Sequence, residues 1–522
     1  MSSSRPPKNV AITATGVAIA FVLPGLYVIG QTVSLSGDLG EAWSDSLGPL
    51  WRTLQLATAV SITATLLGTS LAWLLHRTDL PGRWIWRIVV PLPLALPSFI
   101  GAAAFIAAVT PQGVLGGVAE AFGLGGPQGF RGLGAAWLVL SLFTYPYVYL
   151  PVAARLANLS TSVEESALLL GASEAAVIRR VVLPQISRVM AAGGLLAFLY
   201  ALSDFGAVQL LGYDTLTRVI FATRLSDQAV SFTSATIVVL LAVAVAFGAR
   251  RIGARFGPEQ RATLRAGRHV PLGPWRWPAV GVVATPVVLG LLVPIWSLGL
   301  WAARGIAEGR VGFERLVDPA VNTIVVSLVA ALAGMATVLP VALLTTRYRS
   351  RLGSPVSVFV LAGYAVPGLV VALALVFWSL NTPGLGFLYQ SFPLLIGAYV
   401  IHFGSQALGG AEVAVASVPG SVRESADLLG AGRLRRFFHI ELPLMRPGVT
   451  AGAGLVLLST LKELPATLLL APTGFSTLAT SVWQSFEDGF FAEVGLASLV
   501  LIAVAGTLSW FLILRRPHSI GA

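Results

Sequence analysis

The chain of 522 residues has no cysteine, which excludes disulfides, thiolate metal sites and iron–sulfur clusters. Charge is scarce: Asp, Glu, Lys and Arg make up 11% of it, against roughly 25% in a soluble domain. Lysine occurs only as Lys8 and Lys462, against 32 arginines, a bias we read as genomic composition. The Gly-Lys dipeptide does not occur, so the phosphate-cradling loop G-x-x-x-x-G-K-[ST] cannot be built. The five histidines, His76, His269, His402, His439 and His518, are scattered, with no pair at metal-ligand spacing. No paired His or Asp cluster lies at catalytic spacing, which argues against a membrane-embedded enzyme.

Apolar residues, by contrast, are abundant. Hydrophobic side chains form 56% of the chain and the mean hydropathy is +0.82, the composition of an integral membrane protein. The net charge of +11 does not point to nucleic acid, because the arginines sit at the ends of apolar runs, where they set topology. The first run, about Val10 to Val33, is too long for a signal-peptide core and reads as an uncleaved first span. Runs of membrane length follow near 54–75, 88–109, 135–154, 189–211 and 229–249. After a break come six more, near 278–301, 322–345, 356–379, 393–415, 448–471 and 494–514. The expected fold is all-α, with about twelve transmembrane helices in two tandem, pseudo-symmetric six-helix halves.

Arginine placement orients the chain. With the N-terminus inside, the inner gaps hold Arg77, Arg83 and Arg87; Arg155, Arg179 and Arg180; Arg347, Arg349 and Arg351; and Arg423, Arg433, Arg435 and Arg436. The outer gaps hold acids, such as Asp38, Glu41 and Asp45, or balanced charge. Both termini are therefore expected in the cytoplasm. The halves are bounded at 1–250 and 277–522, joined by an Arg-rich cytoplasmic linker, 251–276, read as a solvated connector beside anionic lipid. No outer gap is long enough to hold a ligand-binding domain, so capture of dilute substrate outside would fall to another protein.

The sequence repeats itself in two inner gaps. Glu165-Ser166-Ala167-Leu168-Leu169-Leu170-Gly171, running on to Leu183-Pro184, returns as Glu424-Ser425-Ala426-Asp427-Leu428-Leu429-Gly430, running on to Leu442-Pro443. The offset is 259 residues throughout, and nine of the twenty positions from Glu165 to Pro184 are identical. Such a repeat between apolar spans marks two copies of one membrane unit. In each copy, over 160–187 and 419–446, the spacing predicts an S-x-x-E capping box (Ser162 to Glu165, Ser421 to Glu424) and a short helix. Gly171 or Gly430 then supplies a left-handed turn. A second helix leads to Pro184 or Pro443, placed in the permissive first turn of the next span. The result is an elbow with an apolar tip, and exposed apolar tips mark partner contacts.

The motif E-S-A-x-x-x-G-x(9)-[VI]-x-L-P, present twice, resembles the EAA loop of permease subunits of binding-protein-dependent ABC importers. The resemblance covers the whole chain, with serine in place of the first alanine. It implies that Glu165, Ala167, Leu169, Gly171 and Pro184, with Glu424, Ala426, Leu428, Gly430 and Pro443, form coupling elements. Each would seat on one of two ATP-binding subunits in the bacterial inner membrane. It implies no catalysis and no cofactor bound by this chain, ATP being used by the partner, and an extracytoplasmic substrate-binding protein outside. An ion-coupled secondary transporter is the rival; it needs buried titratable groups near the midplane.

Two acids fall within the predicted fifth and eleventh spans at the repeat offset, Asp204 and Glu463. Each lies about 16 residues into its helix, roughly 24 Å at 1.5 Å per residue. Intramembrane carboxylates are functional candidates, and hard trivalent cations favour such oxygens; the other reading is of interfacial acids reaching headgroup water. Tyr145, Tyr147 and Tyr149 are a further source of oxygens or ordinary packing residues. Ser203 to Val208 with Tyr213 to Thr217, and Leu461 to Leu469, resemble the ferric-iron permeases. Thiamine, sulfate/molybdate and polyamine permeases stay open as alternatives.

Overall fold

The computed structural model describes residues 6–35, 39–121, 129–159, 161–253, 270–348, 350 and 352–509. Among these, ten helices are long and apolar enough to cross a membrane. Two further pairs, Arg83–Ala95 with Ser98–Ala108 and Gly353–Gly363 with Gly368–Asn381, are each bent by 97°. Counting each bent pair once gives the expected twelve spans, numbered here in chain order. The only β-pairing among the described residues is an isolated bridge between Thr78 and Val270. Most of the Arg-rich linker, residues 254–269, lies outside the described residues, as does the C-terminal segment from 510.

The bends in spans three and nine have a simple cause. Leu96 and Val366 are extended, as residues before proline must be. Pro97 and Pro367 then start new helices at Ser98 and Gly368. Spans five and eleven also end earlier than the apolar runs suggest, at Ser203 and Leu461. Short helices, Gly206–Leu210 and Pro465–Leu470, complete those runs. Pro465 cannot continue span eleven, because its ring would meet the carbonyl one turn back. In span five the chain turns extended at Asp204, whose carboxylate takes up backbone N–H groups of the following turn. Asp204 and Glu463 therefore stand just beyond their spans, not within continuous helices.

The described residues form two compact units, and these cut across the sequence halves. One unit holds 40–223 and 240–308; the other holds 1–39, 224–239 and 309–522. Span one thus packs with second-half spans, and span seven with first-half spans. Matching shapes explain the first case. A Cβ on Gly363 would lie 2.9 Å from the Phe21 ring and one on Gly404 2.6 Å from it, so these glycines form the slot that Phe21 fills. Thr32 and Thr236 add a hydroxyl pair at 2.8 Å. In each unit span five or eleven packs onto span four or ten through an equivalent glycine. A Cβ on Gly193 would lie 2.8 Å from Val148 Cα, and one on Gly452 3.3 Å from Gly410 Cα. Small residues are what allow helix backbones to approach in lipid, where no hydrophobic force draws helices together.

Candidate functional site: two elbows and two buried acids

The first elbow begins with the helix Thr161–Leu169. It ends at Gly171, with φ +87°, where the amide of Ala172 reaches the Ala167 carbonyl at 3.1 Å. The second begins with Gly420–Leu428 and ends at Gly430, φ +74°, with Ala431 reaching Ala426 at 3.0 Å. These are the paired bonds of a left-handed C-terminal cap, which only glycine enters without strain. The turn leaves Leu169 and Leu170 at 89% and 88% exposure, and Leu428 and Leu429 at 89% and 87%. Ala426 is buried and Ala167 half-buried beneath them, while Glu165 and Glu424 lie exposed on the outer side.

Two local expectations need correction. The elbow helices start before the serines, at Thr161 and Gly420, so Ser162 and Ser421 lie within the first turn rather than at the cap. Pro419 occupies the N-cap of the second helix and makes no side-chain cap bond. Nor do Pro184 and Pro443 begin separate helices. The chain is helical without a break over 174–203 and over 434–461, and each proline follows a wide π-helical turn, Ile178–Val182 or Phe437–Glu441. That turn carries one extra residue and absorbs the proline that a tight α-turn would exclude.

The backing of the elbows was not foreseen from sequence. Arg77 at the end of span two is buried, and its guanidinium meets the buried Glu164 of the first elbow helix at 2.9 Å. The Leu168, Val177 and Val182 side chains line the small cavity around this pair, with Trp73, Glu174, Ile178 and Val270. At the equivalent place in the second elbow, Arg347 at the end of span eight meets Glu441 at 3.0 Å. Arg436 holds the same Glu441 at 2.9 Å and also bonds Asp427. The loop after span two is tied further. Val270 donates to the Arg77 carbonyl at 2.8 Å and Leu272 to Asp79 at 2.8 Å, while Arg276 pairs with Asp79 at 2.6 Å. The Leu272 amide and the Arg276 guanidinium hold the Asp79 carboxyl below its ordinary range.

The acids at 204 and 463 are both buried. Asp204 accepts from Ser98 Oγ, from the Ala207 amide at 3.0 Å and from the Val208 amide at 3.4 Å. Glu463 accepts from the Ala466 amide at 3.1 Å. Each carboxylate therefore caps the short helix that follows it. Among the described residues, no three His, Asp or Glu side chains come together as a cation site. Tyr145 donates to the Val90 carbonyl at 2.5 Å and is fully buried; Tyr147 packs on Tyr200.

The described residues thus form a helical membrane chain with an elbow in each of its two tandem halves. Residues 64–255 and 323–516 each match the model of the binding-protein-dependent transport system inner membrane component. The chain belongs to that family, the permeases of ABC importers. It is 28% identical over 516 residues, 96% of this chain and 97% of the relative, to the Fe(3+)-transport system permease protein FbpB 2 of Haemophilus influenzae. It is also 29% identical over 212 residues to the sulfate transport system permease protein CysT of Salmonella typhimurium, covering 39% of this chain and 76% of that one. The sulfate transport system permease protein CysW of Escherichia coli matches at 27% over 242 residues, 44% of this chain and 81% of the relative.

Proposed function

We propose that the chain carries ferric iron, handed over outside by a binding protein, across the bacterial inner membrane, and that two copies of an ATP-binding subunit drive it through the elbows. The observation carrying the coupling role is the twofold occurrence of a fully exposed leucine pair on a glycine-capped turn. A leucine buried on docking contributes about 1.5–3 kcal/mol, so each tip supplies a docking energy that an ordinary connector would have no reason to display. The elbows face the cytoplasm in this reading, as the arginine distribution requires. Glu165 and Glu424 would meet the partner at the rim of each seat. With no Gly-Lys in the chain, hydrolysis belongs to the partner, and the work done here is alternating access.

Ferric iron is favoured because the similarity to the Fe(3+) permease runs through both halves, 96% of the chain. The sulfate permeases match over less than half of it, and sulfate is the second reading. The test is uptake of radiolabelled ferric iron by cells with and without this chain, with sulfate, thiamine and putrescine in parallel. Loss of iron uptake alone supports the proposal; loss of another substrate with iron unchanged overturns the iron assignment and leaves the permease. For coupling, Leu169→Asp with Leu170→Asp is expected to cut both uptake and co-purification of the ATPase by about tenfold or more, at roughly 1.4 kcal/mol per tenfold. Full uptake by a well-inserted variant would remove the elbows from the mechanism.

A further inference from the structure

In each unit one carboxylate sits where two helices begin. In the first copy these are Ser98–Ala108 and Gly206–Leu210; in the second they are Gly368–Asn381 and Pro465–Leu470. Ser98 and Gly368 are equivalent: each opens a helix immediately after the proline at which its span bends. Asp204 bridges the gap by accepting the Ser98 hydroxyl on one oxygen and the Ala207 amide on the other. Gly368 has no hydroxyl to offer, but the acid opposite is longer by one methylene. Glu463 Oε1 lies only 2.8 Å from where a Gly368 Cβ would stand, and its amide partner is Ala466 at 3.1 Å. Serine with aspartate in one copy is replaced by glycine with glutamate in the other.

We infer that Asp204 and Glu463 are positioning residues, clasps that hold the helix opening after the bend of the third or ninth span against the short helix after the fifth or eleventh. The length exchange is the first ground: an acid selected to contact cargo has no need to track the size of the residue across the gap. The second is that the acid's own backbone is fastened in both copies. Thr217 Oγ1 donates to the Asp204 carbonyl at 2.7 Å and Thr467 Oγ1 to the Glu463 carbonyl at 3.0 Å. The third is chemical. The Asp204 carboxylate faces two amides and a hydroxyl and that of Glu463 an amide, and the positive ends of these donors favour an anion there and oppose a second, cationic partner. Tying the two helices makes each bent span and its neighbouring short helix move as one piece when the permease changes state.

The clasp rests on the permease reading but not on the identity of the cargo. It is tested by uptake in cells carrying the complete transport system, with each variant at matched membrane level and both ferric iron and sulfate supplied. A wrong cargo shows already in the parent protein; a wrong clasp shows only in the variants. Gly368→Ser drives a side chain onto Glu463 and to within 3.2 Å of His402, and is expected to lower uptake about tenfold. Glu463→Asp withdraws the carboxylate and lowers it similarly. The double variant recreates the first copy's pair and is expected to recover to within about threefold of the parent, because contacting sites compensate. Asp204→Asn and Glu463→Gln keep an oxygen for the backbone amide and are expected to retain most uptake. A double variant no better than the worse single variant overturns the clasp, as does loss of uptake in the amide variants, which assigns the carboxylates to the cargo instead.

Discussion

The two elbows share a backbone and a tip but not an interior. Positions 168, 177 and 182 of the first are Leu, Val and Val; the equivalents 427, 436 and 441 in the second are Asp, Arg and Glu. The acid that meets the span-end arginine moves accordingly, from Glu164 on the elbow helix to Glu441 on the π-helical turn. Position 423, the counterpart of Glu164, is an arginine. One elbow is thus backed by a buried ion pair in a small cavity lined mostly by apolar side chains, the other by a chain of four charges. What the copies hold in common is the exposed leucine pair, the left-handed glycine and an arginine closing the span. The two copies therefore share the tip and its attachment point and differ in the filling between them.

The difference predicts unequal responses to the same change. Arg77→Met strands a buried Glu164 in a cavity whose other charged lining residue is the like-charged Glu174, and breaking a buried pair in this way costs about 3–5 kcal/mol. Arg347→Met leaves Glu441 still held by Arg436, so a smaller loss, about 1–2 kcal/mol, is expected. Thermal denaturation of the two purified variants measures the gap, and equal losses would erase the distinction. Gly171→Ala and Gly430→Ala, both forced to positive φ, should each cost about 1–2 kcal/mol and differ little from one another, since the turn geometry is shared.

The smallest effect concerns Asp79, in the loop behind the first elbow. Its carboxyl is held below the ordinary value of 3.8 in the folded protein. A depressed folded value means that its contribution is complete above the unfolded value and is lost as pH falls through the folded one. The protection of the Leu272 amide, its exchange rate relative to the intrinsic rate at the same pH, should therefore be unchanged from neutral pH to about 4 and fall only below it. Asp79→Asn should show faster exchange already at neutral pH.

Much of this was legible in the sequence. Apolar runs located every span, since lipid demands about 20 apolar residues per crossing, but they set the bounds of spans two, five and eleven off by roughly two to four turns. The repeat placed both tips, because a left-handed glycine after a short helix is a local signal. The interior of the elbows was not legible. Glu164 and Glu165 are neighbours in sequence, and which one turns inward depends on the helix phase, set by a start at Thr161 rather than at Ser162. Arg77 and Arg347 looked like topology markers, and only the fold shows them, buried and half-buried, paired with acids 87 and 94 residues away. The ends of spans five and eleven were missed for a related reason. An acid that caps the next helix and a proline that stops the last one are both compatible with an unbroken apolar run.

The exchange of first spans between units sets a timetable for biogenesis. Phe21 finds its slot at Gly363 and Gly404, so span one enters the membrane long before its partners exist. At 5–20 residues per second the wait is roughly 20–70 s, during which its slot-facing side has only lipid for company. Two polypeptides cut at the linker would each carry one span whose proper neighbours are encoded on the other. Fusing the halves into one chain guarantees that those neighbours arrive in the same place, in equal number and in a fixed order.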